Sequence, residues 1–135
     1  MGLNDYIDAN EVEFTQNLID QEDINNIEKK IDFSFGNELS EYITKYGYLA
    51  YKHIELYGIN SKQLMESDMV KQTQYIHKYF PKTISYIALE NVGDGYYMLV
   101  SPNDEVYEFS SESDTVKDTG KKLFDYILAR FKEVD

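Results

Sequence analysis

Two histidines and an excess of carboxylates are the residues of this chain whose types could do chemistry. His53 and His77 are its only imidazoles, and no Cys accompanies them. A zinc site needs three or four ligands in a tetrahedral array, so carboxylates would have to complete it. The local pattern puts His53 at a strand edge and His77 on the flank of a helix, which argues against a shared metal. Among twenty-five acidic residues, Glu55 and Glu90 stand out because each interrupts an apolar strand-like run. A carboxyl group in such a setting can have a raised pKa and serve as a general acid. The same placement also suits an outward-facing carboxylate that meets a partner. Carboxylates this abundant make any glycosidase-like spacing uninformative. No Ser lies in a Gly-x-Ser-x-Gly elbow, and Gly93-Asp94-Gly95 holds no nucleophile. Those glycines join two strands instead of opening a helix, so they read as a tight turn and not as a phosphate loop. The sequence thus predicts no catalytic set, no metal and no cofactor.

The elements that must position these residues follow from periodicity. Ile84 to Phe109 contains three apolar, aromatic-rich runs, separated by Gly93-Asp94-Gly95 and by Ser101-Pro102-Asn103-Asp104. That pattern predicts a three-stranded antiparallel meander. Asp20, with Asp23 three residues on, caps a helix whose apolar stripe is Ile24, Ile27 and Ile31. Asn37 is the expected cap of a second helix bearing Leu39, Tyr42, Ile43 and Tyr46, closed by Gly47 in the left-handed conformation. His53 to Tyr57 reads as a short strand ended by Gly58. Ser67 is the expected cap of a third helix carrying Met69, Thr73, Ile76 and Phe80, stopped at Pro81. Ser110 to Lys117 reads as a polar, acidic loop. Leu123, Phe124, Ile127, Leu128 and Phe131 form the continuous apolar face of a last helix. Glu11 to Phe14 alternates like a short edge strand, with a helical turn as the alternative. No repeat or linker interrupts the chain, so residues 1–135 are expected to form one α+β domain, a meander flanked by about four helices.

Charge is large and uneven. The net charge is −12 over 135 residues. Met1 to Glu28 carries eight acids and no base, and Thr83 to Val116 carries seven acids and no base. The stretch between them, Lys29 to Lys82, has eight bases and six acids. Such a field repels nucleic acid and anionic membrane and steers a cationic partner. No run approaches the ~18 apolar residues of a membrane span. No apolar segment of signal-peptide type precedes Lys29, the first basic residue, and no Cys asks for an oxidising compartment, so a cytoplasmic location is expected. Thirteen Tyr stand against no Trp. Tyr pairs a large apolar body with a polar tip, which suits a core margin or a binding surface. Tyr96-Tyr97 must place one ring on each face of its strand.

The order of these segments resembles a known family. An amphipathic helix with I-N-N-I-E-K-K is followed by E-L-S-E-Y-I-T-K-Y-G, a strand with I-E-L-Y-G-I and a helix. Then come I-A-L-E-N-V-G-D-G-Y-Y-M-L-V, E-V-Y-E-F and a closing L-F-D-Y-I-L-A-R-F. From about Glu11 to Glu133 this is similar to the SUKH superfamily, bacterial relatives of the yeast cell-wall assembly regulators. Ile27-Glu28, Gly47, Glu55, Gly58 and Asp94-Gly95 match best, whereas the family's Leu-Pro pair before the second helix is replaced by Phe35-Gly36. The resemblance implies helices packed around an antiparallel sheet and no catalysis. It also implies an immunity protein that binds and neutralises a toxin domain of a polymorphic toxin system, many of which are nucleases or deaminases. The expected partner is therefore a cognate toxin protein with a basic surface, with no nucleic acid and no membrane bound, and the chain a monomer or weak dimer. The expected contact residues are Glu55, Glu90, Asp94, Tyr96, Asp104, Glu105 and Glu108, on the acidic meander and its neighbours. A regulatory or scaffold domain like the eukaryotic relatives is the alternative, and a small hydrolase using Glu55 or Glu90 is a third reading.

Overall fold

A computed structural model of the chain describes residues 2–14, 19–59 and 67–135. Among them lie five α-helices and two antiparallel sheets, an α+β arrangement as expected. The helix formed by Gln21–Ile31 (α2, following α1 at Leu3–Ala9 and β1 at Glu13–Phe14) starts where the sequence places it. The Asp20 carboxylate accepts from Asp23 N at 2.9 Å, and the Asp23 carboxylate accepts from Asp20 N at 3.1 Å, a reciprocal cap. Acids occupy its first turn and Lys29 and Lys30 its last, which complements the helix dipole at both ends. Ile24 and Ile31 are buried and Ile27 is half-buried against the core. α1 is an element the sequence did not resolve. Seven residues carry only Leu3, Tyr6 and Ile7 as a buried stripe, too short a period to distinguish from an irregular segment.

The next helix, α3 (Asn37–Lys45), corrects a cap assignment. Its N-cap is Gly36, not Asn37, and no local side chain caps it. The carboxylate of Asp104, more than sixty residues away, accepts from Glu38 N at 3.0 Å and from Leu39 N at 2.9 Å. A Cβ on residue 36 would lie 2.4 Å from that carboxylate, so only glycine admits the approach. α3 ends as expected, with Gly47 at a φ of 70°. It leads into the hairpin β2 (Leu49–Tyr51) and β3 (Ile54–Glu55), which with β1 makes a three-stranded sheet in the order β1-β2-β3. The expected strand over His53 to Tyr57 is thus the shorter half of a hairpin. α4 (Met69–Tyr79) is capped by Asp68, which accepts from Lys71 N, and not by Ser67. Pro81 begins a single 3₁₀ turn that ends it.

The meander has four strands in sequential order: β4 (Ile87–Gly93), β5 (Tyr96–Val100), β6 (Glu105–Ser110) and β7 (Thr115–Lys122). β7 replaces most of the expected loop from Ser110. As an edge strand it carries Lys117, Lys121 and Lys122 and a left-handed Gly120, features that blunt an edge and hide its strand character. The sheet is covered on both faces. Tyr97, Phe109 and Tyr107 meet Phe80 and Tyr86 on one side, while Glu90 meets α5 (Leu123–Lys132) on the other. Burial on both faces is why β4 and β5 read as nearly continuous apolar runs instead of alternating ones. Tyr96 and Tyr97 part as predicted, Tyr96 exposed and Tyr97 packed against Phe80. The outer edge of β4 is closed by side chain and loop. Ala88 N donates to Thr73 Oγ1 at 2.9 Å, and Tyr57 N donates to Leu89 O at 2.6 Å.

One apolar cluster runs from Leu3 to Phe131, and tyrosines build much of it. Tyr42 is fully buried and donates to Tyr57 O at 2.7 Å. Tyr6, Tyr51 and Phe131 pack ring on ring, which holds α1 against α5. Burial is the main cause that pushes the phenols of Tyr42 and Tyr57 well above the ordinary range, and those of Tyr46 and Tyr48 up to about 12.

Two tests follow from this packing. Each raised phenol contributes stability that is complete below the ordinary tyrosine pKa of about 10 and is lost as pH rises through that value toward the folded one. In an alkaline titration followed by ultraviolet difference spectra, these raised phenols should ionise only together with loss of the near-ultraviolet dichroism, above about pH 11. Complete ionisation of the thirteen tyrosines below that pH, without unfolding, would contradict the buried set. Asp104→Ala removes the partner of two helix N–H groups and should cost about 2 kcal/mol or more in urea unfolding, with Asp104→Asn in between. A loss under about 0.5 kcal/mol, the level of an ordinary surface change, would show that the cap contributes little.

Candidate functional site

The strand β4 decides where polar chemistry collects. Its residues Ala88 and Glu90 pair with consecutive residues Leu99 and Met98 of β5, so Leu89 is an extra, bulged residue. The bulge turns Glu90 to the α5 side of the sheet, where the side chain is 3% exposed. A buried carboxylate must be paired and hydrogen-bonded. Arg130 supplies a fork: Nη2 donates to Oε2 at 2.9 Å, and Nε lies 3.3–3.4 Å from both oxygens. Tyr126, one helical turn earlier, donates its hydroxyl to Oε1 at 3.2 Å. Burial and then the Glu90 charge hold the Tyr126 phenol far above its ordinary range, so it stays a donor. The Glu90 hydrogen bond likewise raises the Arg130 pKa. Arg130 is the one arginine among twelve lysines in the sequence, and it sits where a planar, bidentate cation is needed.

Two cavities meet at this pair. The first, about 640 Å³, is lined by His53, Glu55, Tyr57 and Gln72 on one side and by Glu90 to Gly93 and Arg130 on the other. The second, about 490 Å³, lies over Met98 and is lined by Glu108, Lys121, Tyr126, Arg130 and Glu133. Arg130 is common to both, and its Nη1 is 3.5 Å from Glu133. The result is a polar groove of two adjoining cavities, the first off the outer edge of β4 and the second on the α5 face of β5, β6 and β7, with Arg130 between them. Glu55 is exposed at one rim, where Tyr48 Oη reaches it at 3.4 Å. Glu133 is exposed at the other rim and Glu108 is half-buried beside it.

The expected contact residues therefore divide. Glu55 and Glu90 line the first cavity and Glu108 the second, Asp94 stands exposed in the turn beside Gly93, and Tyr96 is 40% exposed on the strand face that carries Met98. Asp104 and Glu105 lie at the opposite end of β5 and β6, in a separate cavity with Gly36, Asn37 and Lys122. Asp104 is 6% exposed and its carboxylate is taken up by the α3 cap. Its place is a structural joint, which corrects its assignment to an exposed acidic face. Sequence reasoning missed Arg130, Tyr126 and Glu133, which flank the apolar stripe of α5. One signal could have found the first: a glutamate inside an apolar strand needs a countercharge, and the chain holds a single arginine.

Glu90 is held in its ion pair with Arg130. Ser67 and His53 both border the first cavity, but no hydrogen bond joins them. His77 is spent on Tyr86 O at 2.7 Å. Among the described residues no group of three or more His, Asp or Glu is placed to hold a metal. Leaving Glu90 buried without its partner should be costly: Arg130→Ala should lose about 3 kcal/mol, whereas the double change Glu90→Gln/Arg130→Met should recover most of it. Urea unfolding of the three proteins checks this, and a double variant no better than the single would show that the pair does not carry the loss.

The comparisons with known proteins agree with the architecture. No helix among the described residues is long and apolar enough to cross a membrane. No curated protein matches the sequence. The family model SUKH_5, described as SMI1-KNR4 cell-wall, matches residues 2–132, nearly the whole chain. The helix-flanked meander and the sequence match thus place the chain in the SUKH superfamily, as a member of the SUKH_5 family.

Proposed function

We propose that this chain is a single-domain, non-catalytic binding protein of the cytoplasm, an immunity factor whose Arg130 groove receives a basic surface of a cognate toxin domain. The observation that carries this reading is the placement of Glu55 and Glu90 in the first cavity and of Glu108 and Glu133 in the second, on either side of Arg130. Glu90 is neutralised by Arg130, so the charge left to a partner is that of the rim carboxylates. A net charge of −12 adds a long-range field that draws in cations and repels nucleic acid. Fast, steered association suits an inhibitor that must act before damage accumulates. The family description supports a second reading, a regulatory scaffold of the cell-wall type, in which the same groove takes a cellular protein instead of a toxin.

The test uses the product of the adjacent gene as ligand in surface plasmon resonance and in co-expression. The double change Glu55→Lys/Glu108→Lys should weaken binding by roughly 10- to 100-fold, chiefly through the association rate, and flatten its salt dependence. Glu41→Lys, exposed on α3 and lining neither cavity, should leave binding unchanged. Binding without protection would favour the scaffold reading. Neither binding nor protection would overturn the immunity reading.

A further inference from the structure

Three of the exposed large apolar side chains, Tyr75, Tyr79 and Ile84, belong to α4 and the turn after it. Tyr75 and Tyr79 are 48% and 55% exposed, and their rings stack on each other with centroids 4.9 Å apart. They line none of the cavities described above. Lys71, Tyr75, Lys78 and Tyr79 fall at i, i+4, i+7 and i+8, a stripe along the solvent side of α4, and Lys82 follows in the exposed 3₁₀ turn after Pro81. Lys78 Nζ sits 5.3 Å above the Tyr79 ring. An aromatic pair ringed by lysines is an odd surface for a strongly acidic chain, and it asks for an acidic, apolar counterpart.

The chain carries that counterpart at the end of the same stripe. Lys82 reaches the β6–β7 turn, with Nζ 2.9 Å from Asp114 O and 3.6 Å from its carboxylate. Glu112 and Asp114 are exposed there. The patch is therefore basic at the start of α4, aromatic in the middle and acidic beyond its end. Lys71 lies about 9 Å along the helix axis to one side of the tyrosine midpoint, and Lys82, in the 3₁₀ turn past the other end of the helix, marks the acidic turn. From this arrangement we infer that α4 is the self-complementary face of a twofold homodimer, two antiparallel α4 helices stacked through Tyr75 and Tyr79. Each Lys71 then meets Glu112 and Asp114 of the second copy. A twofold requires such self-complementarity, and antiparallel helices also oppose their dipoles favourably. The face is one helix wide, so the dimer belongs to the small-interface class, with a dissociation constant on the order of 100 μM or tighter.

Sedimentation velocity on the full chain, at concentrations up to about ten times that constant, reads the state directly. Wild type should move from the 15.8 kDa chain toward twice that mass as concentration rises. Tyr79→Glu should keep it monomeric, with an unchanged thermal melt as the folding control. Lys71→Glu and Glu112→Lys should each weaken association about tenfold or more. The double variant Lys71→Glu/Glu112→Lys should restore it, because it swaps the two ends of the patch. Glu112 is chosen over Asp114, whose φ of 54° a lysine would strain. A wild type that stays monomeric, an assembly larger than a dimer, or a double variant no tighter than the single ones would each overturn the inference.

Discussion

One carboxylate holds the two halves of this chain together. Asp104 ends the Ser101-Pro102-Asn103-Asp104 turn in the left-handed conformation, with a φ of 63°, which a short polar side chain tolerates better than most. Ser101 Oγ accepts from Asn103 N and Glu105 N and fixes the turn from inside. Both oxygens of Asp104 then cap α3, while its backbone carbonyl accepts from Leu123 N at the start of α5. α3 answers across the same joint, since Glu38 Oε1 accepts from Phe124 N at 2.8 Å. Two helices from opposite halves of the sequence thus begin at one meander turn. Neither owns a local side-chain cap, so each depends on the tertiary fold to satisfy its first N–H groups.

That dependence explains what could be read from the residues in order and what could not. α2 was legible because Asp20, Asp23 and the isoleucine stripe all lie within eleven residues of each other. The helical period of α5 and the turn residues of the meander were legible for the same reason. The cap of α3 was not, because its donor set is local but its acceptor lies on a strand turn more than sixty residues on. Asn37 looks like a cap by type, and Asp104 is one by position. The hairpin of β2 and β3 was half hidden because Lys52 takes the positive φ, 55°, that Asn or Gly would ordinarily announce. β7 was hidden by its role as an edge, which favours lysine and a bulge over an apolar alternation. At the groove, Glu55, Glu90 and Glu108 were legible as types, and Arg130 was not, because its meaning depends on a partner forty residues away in sequence.

The tyrosines follow from the same economy of length. A chain of 135 residues buries a modest core, and its margins are wide. Tyr42 buries its ring completely and still finds the Tyr57 carbonyl, and Tyr126 fills the α5 side while serving Glu90. A phenylalanine would give the ring without the hydrogen bond, and a serine the bond without the ring. An ordinary phenol is already neutral at physiological pH and burial pushes these further up, so the polar tips can be placed beside carboxylates without adding charge to an already acidic molecule.

The Glu90–Arg130 pair raises the question of why a charge is buried there at all. Replacing such pairs by apolar residues is often neutral or stabilising, so stability does not account for it. Geometry does. Glu90 takes up the guanidinium fork and the Tyr126 hydroxyl, and the remaining Nη1 leans toward Glu133. The guanidinium is thereby fixed between two cavities instead of sweeping through them, and it divides the groove at a set point. A lysine, with one mobile ammonium, could neutralise Glu90 but could not hold that partition. With Glu90 and Arg130 cancelling, Glu55, Glu108 and Glu133, offset in part by Lys121, leave the two cavities net negative. On the proposed reading that is the useful outcome: a rigid floor costs a partner no reordering entropy, and the carboxylates that remain are those a cationic surface can reach.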